Sequence, residues 1–323
     1  MSGFSAAAQP VPVRLFHDGE RLSADWVDIA DTDPTLPFLH DRIAQAGPSW
    51  SAALPTVSRA TQPSALVLHA GRCGSTLVSR SLSLMSCCHV ISEPQAVNEV
   101  LGVDGIWPFK PRKARSEALK QVVEALTSSA RPDQDRVVLK LSSWNALHLH
   151  LIEDAFPDVP KLFVYRQPEE ILVSLRDAPP GWMRRADDPV QAKLFLGTAP
   201  AMAGHRLGFA AQVLGRVYTA IADAVSMPLA TGRWLLTPYD ELPDALSEKI
   251  PSWLDVRPSP TEEQLIAEAA HIHAKDIHDP RRFEPDSARK RAAVTPELAE
   301  LAGRFVNAAY RRLEQLRRAR DGQ

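Results

Sequence analysis

Hydrophobic residues fall along this chain in short, almost unbroken runs separated by amphipathic stretches. Five runs read as strands: Ala65–His69, His89–Ser92, Val137–Leu141, Lys161–Tyr165 and Arg233–Thr237. Each is apolar at nearly every position rather than at alternate ones, the pattern of strands buried on both faces. Helical spacing fills much of the rest. Leu77–Met85 follows the first run, Ser116–Ser128 precedes the third, Ala146–Phe156 follows it, and Glu169–Arg176 follows the fourth. Strands and helices alternating in this way predict an α/β fold, a parallel sheet of about five strands flanked by helices. Ligands in such sheets sit at the carboxyl ends of the strands.

Residues 1–60 follow another pattern. Val11–Phe16 and Arg21–Ile29 flank His17-Asp18-Gly19 and predict an N-terminal β-hairpin with an Asp-Gly turn. A Pro- and Ser-containing linker, about residues 47–64, leads into residues 61–323, the α/β domain. Pro179–Ala203 mixes Pro, Gly, Trp and charge and reads as a lid or acceptor loop. The last helix is expected to start at Thr295 as N-cap with Pro296 in its first turn, and Leu298, Leu301, Phe305, Ala309, Leu313 and Leu316 form its apolar stripe.

Composition narrows the function. In 323 residues, 45% are hydrophobic, enough for a sizeable core, and the net charge is −2, which argues against a general nucleic-acid binder. Any anion site must therefore be local. Residues 1–9 lack the apolar run of a secretory leader, and no stretch has the length of a membrane span. The three cysteines, Cys73, Cys87 and Cys88, make a poor disulfide framework. A cytoplasmic location, with no membrane partner, is the expectation.

The local anion site is His69-Ala70-Gly71-Arg72-Cys73-Gly74-Ser75-Thr76, directly after the first strand. A strand running through a glycine turn into a helix aims backbone N–H groups and a helix dipole at one point, where a phosphate or sulfate fits. The nucleotide-triphosphatase spacing Gly-x-x-x-x-Gly-Lys-Ser/Thr is absent, and the cation is Arg72. A second clamp stands at Lys161-Leu-Phe-Val-Tyr165-Arg166-Gln-Pro168, where a strand ends in Arg166 and Ser174 follows eight residues later within a helix. An arginine fork and a hydroxyl suit a second anionic group.

In this order, the motifs resemble the PAPS-dependent sulfotransferases, in the bacterial and tyrosylprotein branch, over about residues 64–260. PAPS, 3′-phosphoadenosine 5′-phosphosulfate, carries anions at both ends of its ribose. The family has Tyr-Glu-Asp-Leu where this chain has Tyr239-Asp240-Glu241-Leu242, and commonly Phe-Leu-Gly where it has Trp253-Leu254-Asp255. Cys73 stands where the branch more often has Ser. The resemblance implies a P-loop-type three-layer fold and the transfer of a sulfuryl group from PAPS to a hydroxyl or amine, leaving adenosine 3′,5′-bisphosphate and requiring no metal. It implies that Gly71, Arg72, Cys73, Gly74, Ser75 and Thr76 hold the 5′-phosphosulfate, and that Arg166 and Ser174 hold the 3′-phosphate. Lys140, at the end of the third strand, matches a lysine that contacts the donor's bridging region. Arg289 and Lys290 belong to a basic C-terminal loop of the kind that closes over the 3′-phosphate and adenine.

Sulfuryl transfer needs a base for the acceptor. Cytosolic members place a histidine two residues after the lysine; here that position is Ser142. Glu93, in Ile91-Ser92-Glu93-Pro94, matches the glutamate base of the bacterial branch, and Pro94 is expected to hold its backbone extended. Glu99 is a weaker competitor. The acceptor is read as a small molecule rather than a protein, with its identity and the oligomeric state left open. Two other functions stand in reserve: a P-loop small-molecule kinase, which would need a lysine where Gly74 stands, and a non-catalytic nucleotide-binding module. Cys73 does not begin a Cys-x-x-x-x-x-Arg phosphatase motif, since Ser79 occupies the arginine position. His148, His150, His271, His273 and His278 are read as ordinary surface histidines rather than metal ligands.

Overall fold

The structure, a computed structural model, describes residues 8–18, 21–34, 36–54, 62–102, 107, 110–227, 233–270, 272 and 286–321. Eight strands are present among them: β1 (Pro10–Asp18), β2 (Arg21–Asp28), β3 (Trp50–Ala53), β4 (Ala65–His69), β5 (Cys88–Ser92), β6 (Arg136–Lys140), β7 (Lys161–Tyr165) and β8 (Trp234–Pro238). The last five form one sheet in the order β5-β6-β4-β7-β8, with every pair parallel. They are the five predicted strands, within one residue at each end.

Strand periodicity divides the core in two. Leu66, Leu68, Leu139, Phe163 and Tyr165 point to one face, against the helices Arg112–Thr127, Pro168–Asp177 and Arg206–Val225. Ala65, Val67, Val138, Leu162 and Val164 point to the other, against Ser75–Ser83 and the short helices around Leu246 and Ile250. Both faces are dry, so alternation along each strand is between two cores rather than between core and water.

Chain order explains where a ligand would go. From β4 the chain moves outward to β5 and returns through β6 on one side; β7 and β8 extend the sheet on the other. The order reverses between β4 and β7, and the crevice at such a switch point is the usual binding place of an open α/β sheet. Val67 is in register with Lys140 and His69 with Val164, so the segments after β4, β6 and β7 leave one edge together.

Several expectations need correction. Residues 50–53 of the supposed linker are β3, paired antiparallel with β2, so the hairpin becomes a three-stranded sheet. Its Val11, Leu22, Ala24 and Trp26 join the core on one face of the parallel sheet. Pro179–Ala203 is not an open loop: it holds a 3₁₀ turn, Gly181–Asp187, and a helix, Pro189–Leu196, around its own apolar cluster of Phe195, Leu196 and Phe209. Arg289 and Lys290 lie in a short helix, Ser287–Ala292, rather than a loop; two earlier arginines of that basic segment, Arg281 and Arg282, fall outside the described residues, as do His271, His273 and His278. The terminal helix begins as expected, with the Thr295 hydroxyl accepting from the Leu298 N–H at 3.3 Å, but breaks at Val306 into Pro296–Phe305 and Asn307–Asp321.

Candidate active site

β4 ends at His69 and the chain turns through Gly71 (φ +78), Arg72 (φ +53) and Gly74 (φ +84) into the helix Ser75–Ser83. Left-handed backbone at Gly74 is free of penalty only because it is glycine; a Cβ there would overlap Leu242 Cδ1 and lie 3.2 Å from the Tyr239 ring. As N-cap, Gly74 offers no side chain to the first-turn N–H groups, which leaves them for an external anion. Cys73 lines the cleft but is fully buried, with its thiol donating to the Val164 carbonyl at 3.1 Å and burial pushing the thiol pKa up to about 11. It ties the turn to β7 and is no nucleophile.

On the neighbouring strand, the Arg166 guanidinium is almost fully buried and densely held. Nε donates to Glu170 Oε2 at 2.6 Å, and Nη2 donates to Asp286 Oδ1 at 2.6 Å and Ser287 Oγ at 2.9 Å. The Tyr239 ring lies 3.8 Å from the guanidinium carbon, a cation–π contact. Tyr218, from the long helix Arg206–Val225, fixes the backbone of Arg166: its hydroxyl donates to the Arg166 carbonyl at 2.5 Å and accepts from the Arg166 N–H at 3.3 Å. Ser174 faces the same cleft, its hydroxyl donating to the Glu170 carbonyl at 3.2 Å.

Asp286 is the carboxylate that joins Arg166 and Lys290. Its carboxylate takes Arg166 on one oxygen and, on the other, Lys290 Nζ at 2.8 Å, with the Tyr239 hydroxyl 3.4 Å away. Burial alone would raise this carboxyl, but hydrogen bonds from Lys290 and Arg166 outweigh it and hold it below its ordinary value. Arg289 is 84% exposed and reaches Asp286 Oδ2 only at 3.8 Å.

Glu93 follows Ser92 at the end of β5. Its backbone is not extended: φ is +53. Pro94 disfavours the right-handed region for the residue before it, while the Glu93 N–H is committed to the Lys140 carbonyl at 2.7 Å and the chain must turn into the helix Gln95–Leu101. A left-handed residue makes that turn, at a cost of about 1–2 kcal/mol. Among the described residues only Arg72, Glu93 and Asp255 are non-glycine residues with such a φ, and two of the three lie here; strained backbone gathers at functional sites.

Lys140 is not on the cleft wall. It is 0% exposed, ion-paired with Glu93 Oε1, and its Nζ sits 5.0 Å from the centre of the Phe38 ring. His69 completes the group. Its Nδ1 accepts from the Gly71 N–H at 3.1 Å, which assigns the proton to Nε2, 3.6 Å from Glu93 Oε1. The desolvation of Glu93 would raise its carboxyl; the nearby His69 N–H and the Lys140 charge more than offset this and hold it well below the carboxylate range. The structure thus attaches Lys140 to Glu93 rather than to a bound donor.

These pieces share one cleft of about 440 Å³. Arg72, Cys73, Gly74, Ser75, Thr76, Glu93, Arg166, Ser174, Arg289 and Lys290 all line it; Gly71 and Lys140 do not. Arg72 spans its mouth, Nη2 donating to the Ala178 carbonyl at 2.5 Å. Sequence reasoning missed four contributors. His69 was legible as a polar residue at the end of a buried strand, and Tyr239 by its place after β8. Asp286 and Tyr218 carried no signal, because only the fold brings them to Arg166. Glu99 lies elsewhere, its carboxylate accepting from the Leu15 N–H at 2.7 Å. Among the described residues no three His, Cys, Asp or Glu side chains form a metal-binding group, and no helix is long and apolar enough to cross a membrane.

No protein-family model matches the chain, and no curated protein matches it. Among solved structures, it is similar to the sulfotransferase STF9 from Mycobacterium avium at 14% identity and a TM-score of 0.48, covering 77% of this chain and 78% of that one. It is also similar to the sulfotransferase domain of the Synechococcus PCC 7002 olefin synthase (17%, TM-score 0.45, 78% and 97% covered). A third is a sulfotransferase from Alicyclobacillus acidocaldarius (13%, TM-score 0.44, 80% and 96% covered). At these values the likeness decides neither family nor activity.

Proposed function

We propose that the protein is a sulfotransferase that takes its sulfuryl group from PAPS and passes it to a hydroxyl or amine. One observation carries the reading: two anion clamps, the Arg72–Thr76 turn and the Arg166 fork, leave adjacent parallel strands and open into one cleft. The residues fit a ligand with negative charge at two places. One place is a helix N-terminus without a side-chain cap. The other is a cationic nest that already grips a carboxylate, Asp286, as a stand-in.

Each residue then has a task. The first-turn N–H groups of Ser75 and Thr76, with Arg72, hold the 5′-phosphosulfate and stabilise charge that develops on the leaving oxygen. Arg166, Ser174 and Lys290 hold the 3′-phosphate, with Arg289 at the rim. Bound there, PAPS supplies an activated sulfuryl group whose leaving group is a phosphate. Glu93 is ionised throughout the neutral range and receives the acceptor proton. It is a weak base, which suits transfer through a loose transition state, as in phosphoryl transfer, where the nucleophile is deprotonated late. His69 and Lys140 aim the carboxylate and keep it charged. A kinase would need a carboxylate free for magnesium. Glu93 Oε1 faces the Lys140 ammonium and the His69 N–H, which oppose a magnesium ion there while leaving Oε2 for the acceptor proton, and Asp177 is paired with Arg176 at 2.8 Å.

Calorimetry tests the donor assignment. Adenosine 3′,5′-bisphosphate should bind about 10–100-fold more weakly to Arg166→Ala than to the unmodified protein, the value of a charge-assisted contact, with adenosine 5′-phosphate changed far less. Arg166→Lys, which keeps a charge beside Glu170, should show the same order. Equal losses for both nucleotides, or preference for ATP with magnesium, would overturn the reading.

A further inference from the structure

A second cavity, of about 1000 Å³, adjoins the anion cleft and takes part in none of the chemistry above. Three segments connect the two. Glu93 lines the cleft, and Gln95, two residues on, lines the cavity. Ser142 Oγ lies 3.5 Å from Glu93 Oε2, and Trp144, two residues on, lines the cavity. Ala178 borders the cleft, and Gly181 and Trp182 border the cavity. Cleft and cavity are thus walled by neighbouring residues of the same three segments, and Glu93 stands on the cleft side of the first.

Its walls are aromatic. Phe16 comes from β1, Trp107 follows the helix Gln95–Leu101, Trp144 comes from the 3₁₀ turn Ser143–His148, and Trp182 from the turn Gly181–Asp187. Packing holds two of them rigid: Trp182 stacks on Phe195 at 6.0 Å and 10°, and Trp144 meets the same ring at 5.2 Å. Rigid aromatic walls accept a flat apolar body at small entropic cost. Among the described residues the charge on the walls is one-sided: Arg14, Arg184 and Arg185 line the cavity against one acid, Glu99, whose carboxylate is already bonded to the Leu15 N–H. Arg184 is exposed and has no ion pair among the described residues, whereas Arg14 is paired with Asp25. A cavity built this way selects for an anion on the flat body.

We infer that this cavity is the acceptor site, and that the acceptor is an aromatic or fused-ring alcohol bearing a carboxylate or similar anion, its hydroxyl presented to Glu93. The inference rests on the sulfotransferase reading and names its second substrate. In the transfer, the acceptor oxygen forms the new O–S bond as its proton passes to the Glu93 carboxylate. The S–O bond to the leaving phosphate breaks with its electron pair on the phosphate oxygen.

Direct binding tests this without turnover. Quenching of the cavity tryptophans should report 6-hydroxy-2-naphthoate binding about tenfold more tightly than 2-naphthol, and 6-hydroxyhexanoate binding weakly or not at all. Arg184→Gln, at an exposed position that does not threaten folding, should remove most of the preference for the carboxylate. Trp182→Ala should weaken both naphthols together. Equal affinity for the two naphthols, or an unchanged preference in Arg184→Gln, would overturn the inference. Adenosine 3′,5′-bisphosphate binding, measured in parallel, separates the two readings. If that nucleotide binds and no naphthol does, the acceptor inference alone fails; if it does not bind, the donor reading fails, whatever the cavity does.

Discussion

Replacing Glu93 with glutamine asks two questions at once, and the structure supplies a way to part them. Lys140 is 0% exposed and its partner carboxylate 27% exposed, so Glu93→Gln strands a buried ammonium. Removing one member of a buried pair costs about 3–5 kcal/mol. At about 2–4 °C per kcal/mol for a chain approaching this size, melting should fall by about 6–20 °C. The linkage has a definite sign. The folded carboxyl is depressed from its ordinary value of 4.5, so the stability it contributes is complete above about pH 5 and is lost as pH falls toward the folded value. The gap between the two proteins should therefore be widest near neutrality and narrow below about pH 4.5. Turnover should drop by about 10²–10³-fold, the lower part of the range for a positioned base. The decisive protein is the double variant Glu93→Gln/Lys140→Met. A methionine against the Phe38 ring replaces the stranded charge with an apolar chain of similar length, which should restore most of the lost stability. Turnover should stay low. A double variant that regains activity to within about tenfold of the unmodified enzyme would refute the base assignment and leave Glu93 only a structural partner of Lys140.

Three further outcomes follow from the geometry. Asp286→Asn frees Arg166 and Lys290 from an internal carboxylate and should tighten adenosine 3′,5′-bisphosphate by about tenfold in calorimetry; weaker binding at an unchanged melting temperature would show that Asp286 builds the site instead of filling it. Gly215→Ala should destabilise by about 2–4 kcal/mol in chemical denaturation. Helix propensity alone favours alanine by about 1 kcal/mol, but a Cβ there overlaps the Phe305 carbonyl oxygen and lies 2.9 Å from its carbon; an equally stable variant would mean the helices do not meet so closely. Cys73, with its thiol pKa near 11, is about one part in a thousand thiolate at pH 8. Mass spectrometry after iodoacetamide treatment should find it labelled only on unfolding, and rapid labelling in the native state would contradict its burial.

The sheet is legible in the sequence because strands buried on both faces must be apolar throughout, and no other feature of the chain competes with five such runs. The two clamps are legible because anion binding at strand ends uses local chemistry: a glycine turn, an arginine, a helix start. What needs the fold is everything that reaches those clamps from afar. Asp286 lies 120 residues beyond Arg166, and Tyr218 bonds it from a helix whose face could only be assigned once the sheet was assembled. Lys140 shows the other failure. Its position at a strand end predicts emergence at the ligand edge, yet the carboxylate of Glu93 and the ring of Phe38 hold it inside, because pairing can keep an ammonium buried that solvation would otherwise draw out. Asp255 is a smaller case. It stands at the glycine of the Phe-Leu-Gly pattern and takes a φ of +56, the conformation that makes glycine common there.

On the proposed donor reading, the site's selectivity would follow from how its cations are satisfied. Arg166 and Lys290 share Asp286, and Arg166 also holds Glu170, so no bare cluster of positive charge waits for a ligand. Such a cluster would repel itself and attract any polyanion, which a chain of net charge −2 otherwise avoids. An incoming phosphate must compete with a carboxylate already bonded to the same donors. A dianion with three oxygens can meet Arg166, Lys290 and Ser174 together, whereas a monoanion offers no more than Asp286 does. Exchange therefore favours a phosphate monoester over a carboxylate, a sulfate monoester or chloride. Bound affinity should accordingly rise as the ligand's second phosphate ionisation, near pH 6, is passed. A nucleotide 3′-phosphate that bound as tightly at pH 5 as at pH 7.5 would show that charge exchange with Asp286 is not what sets the selection.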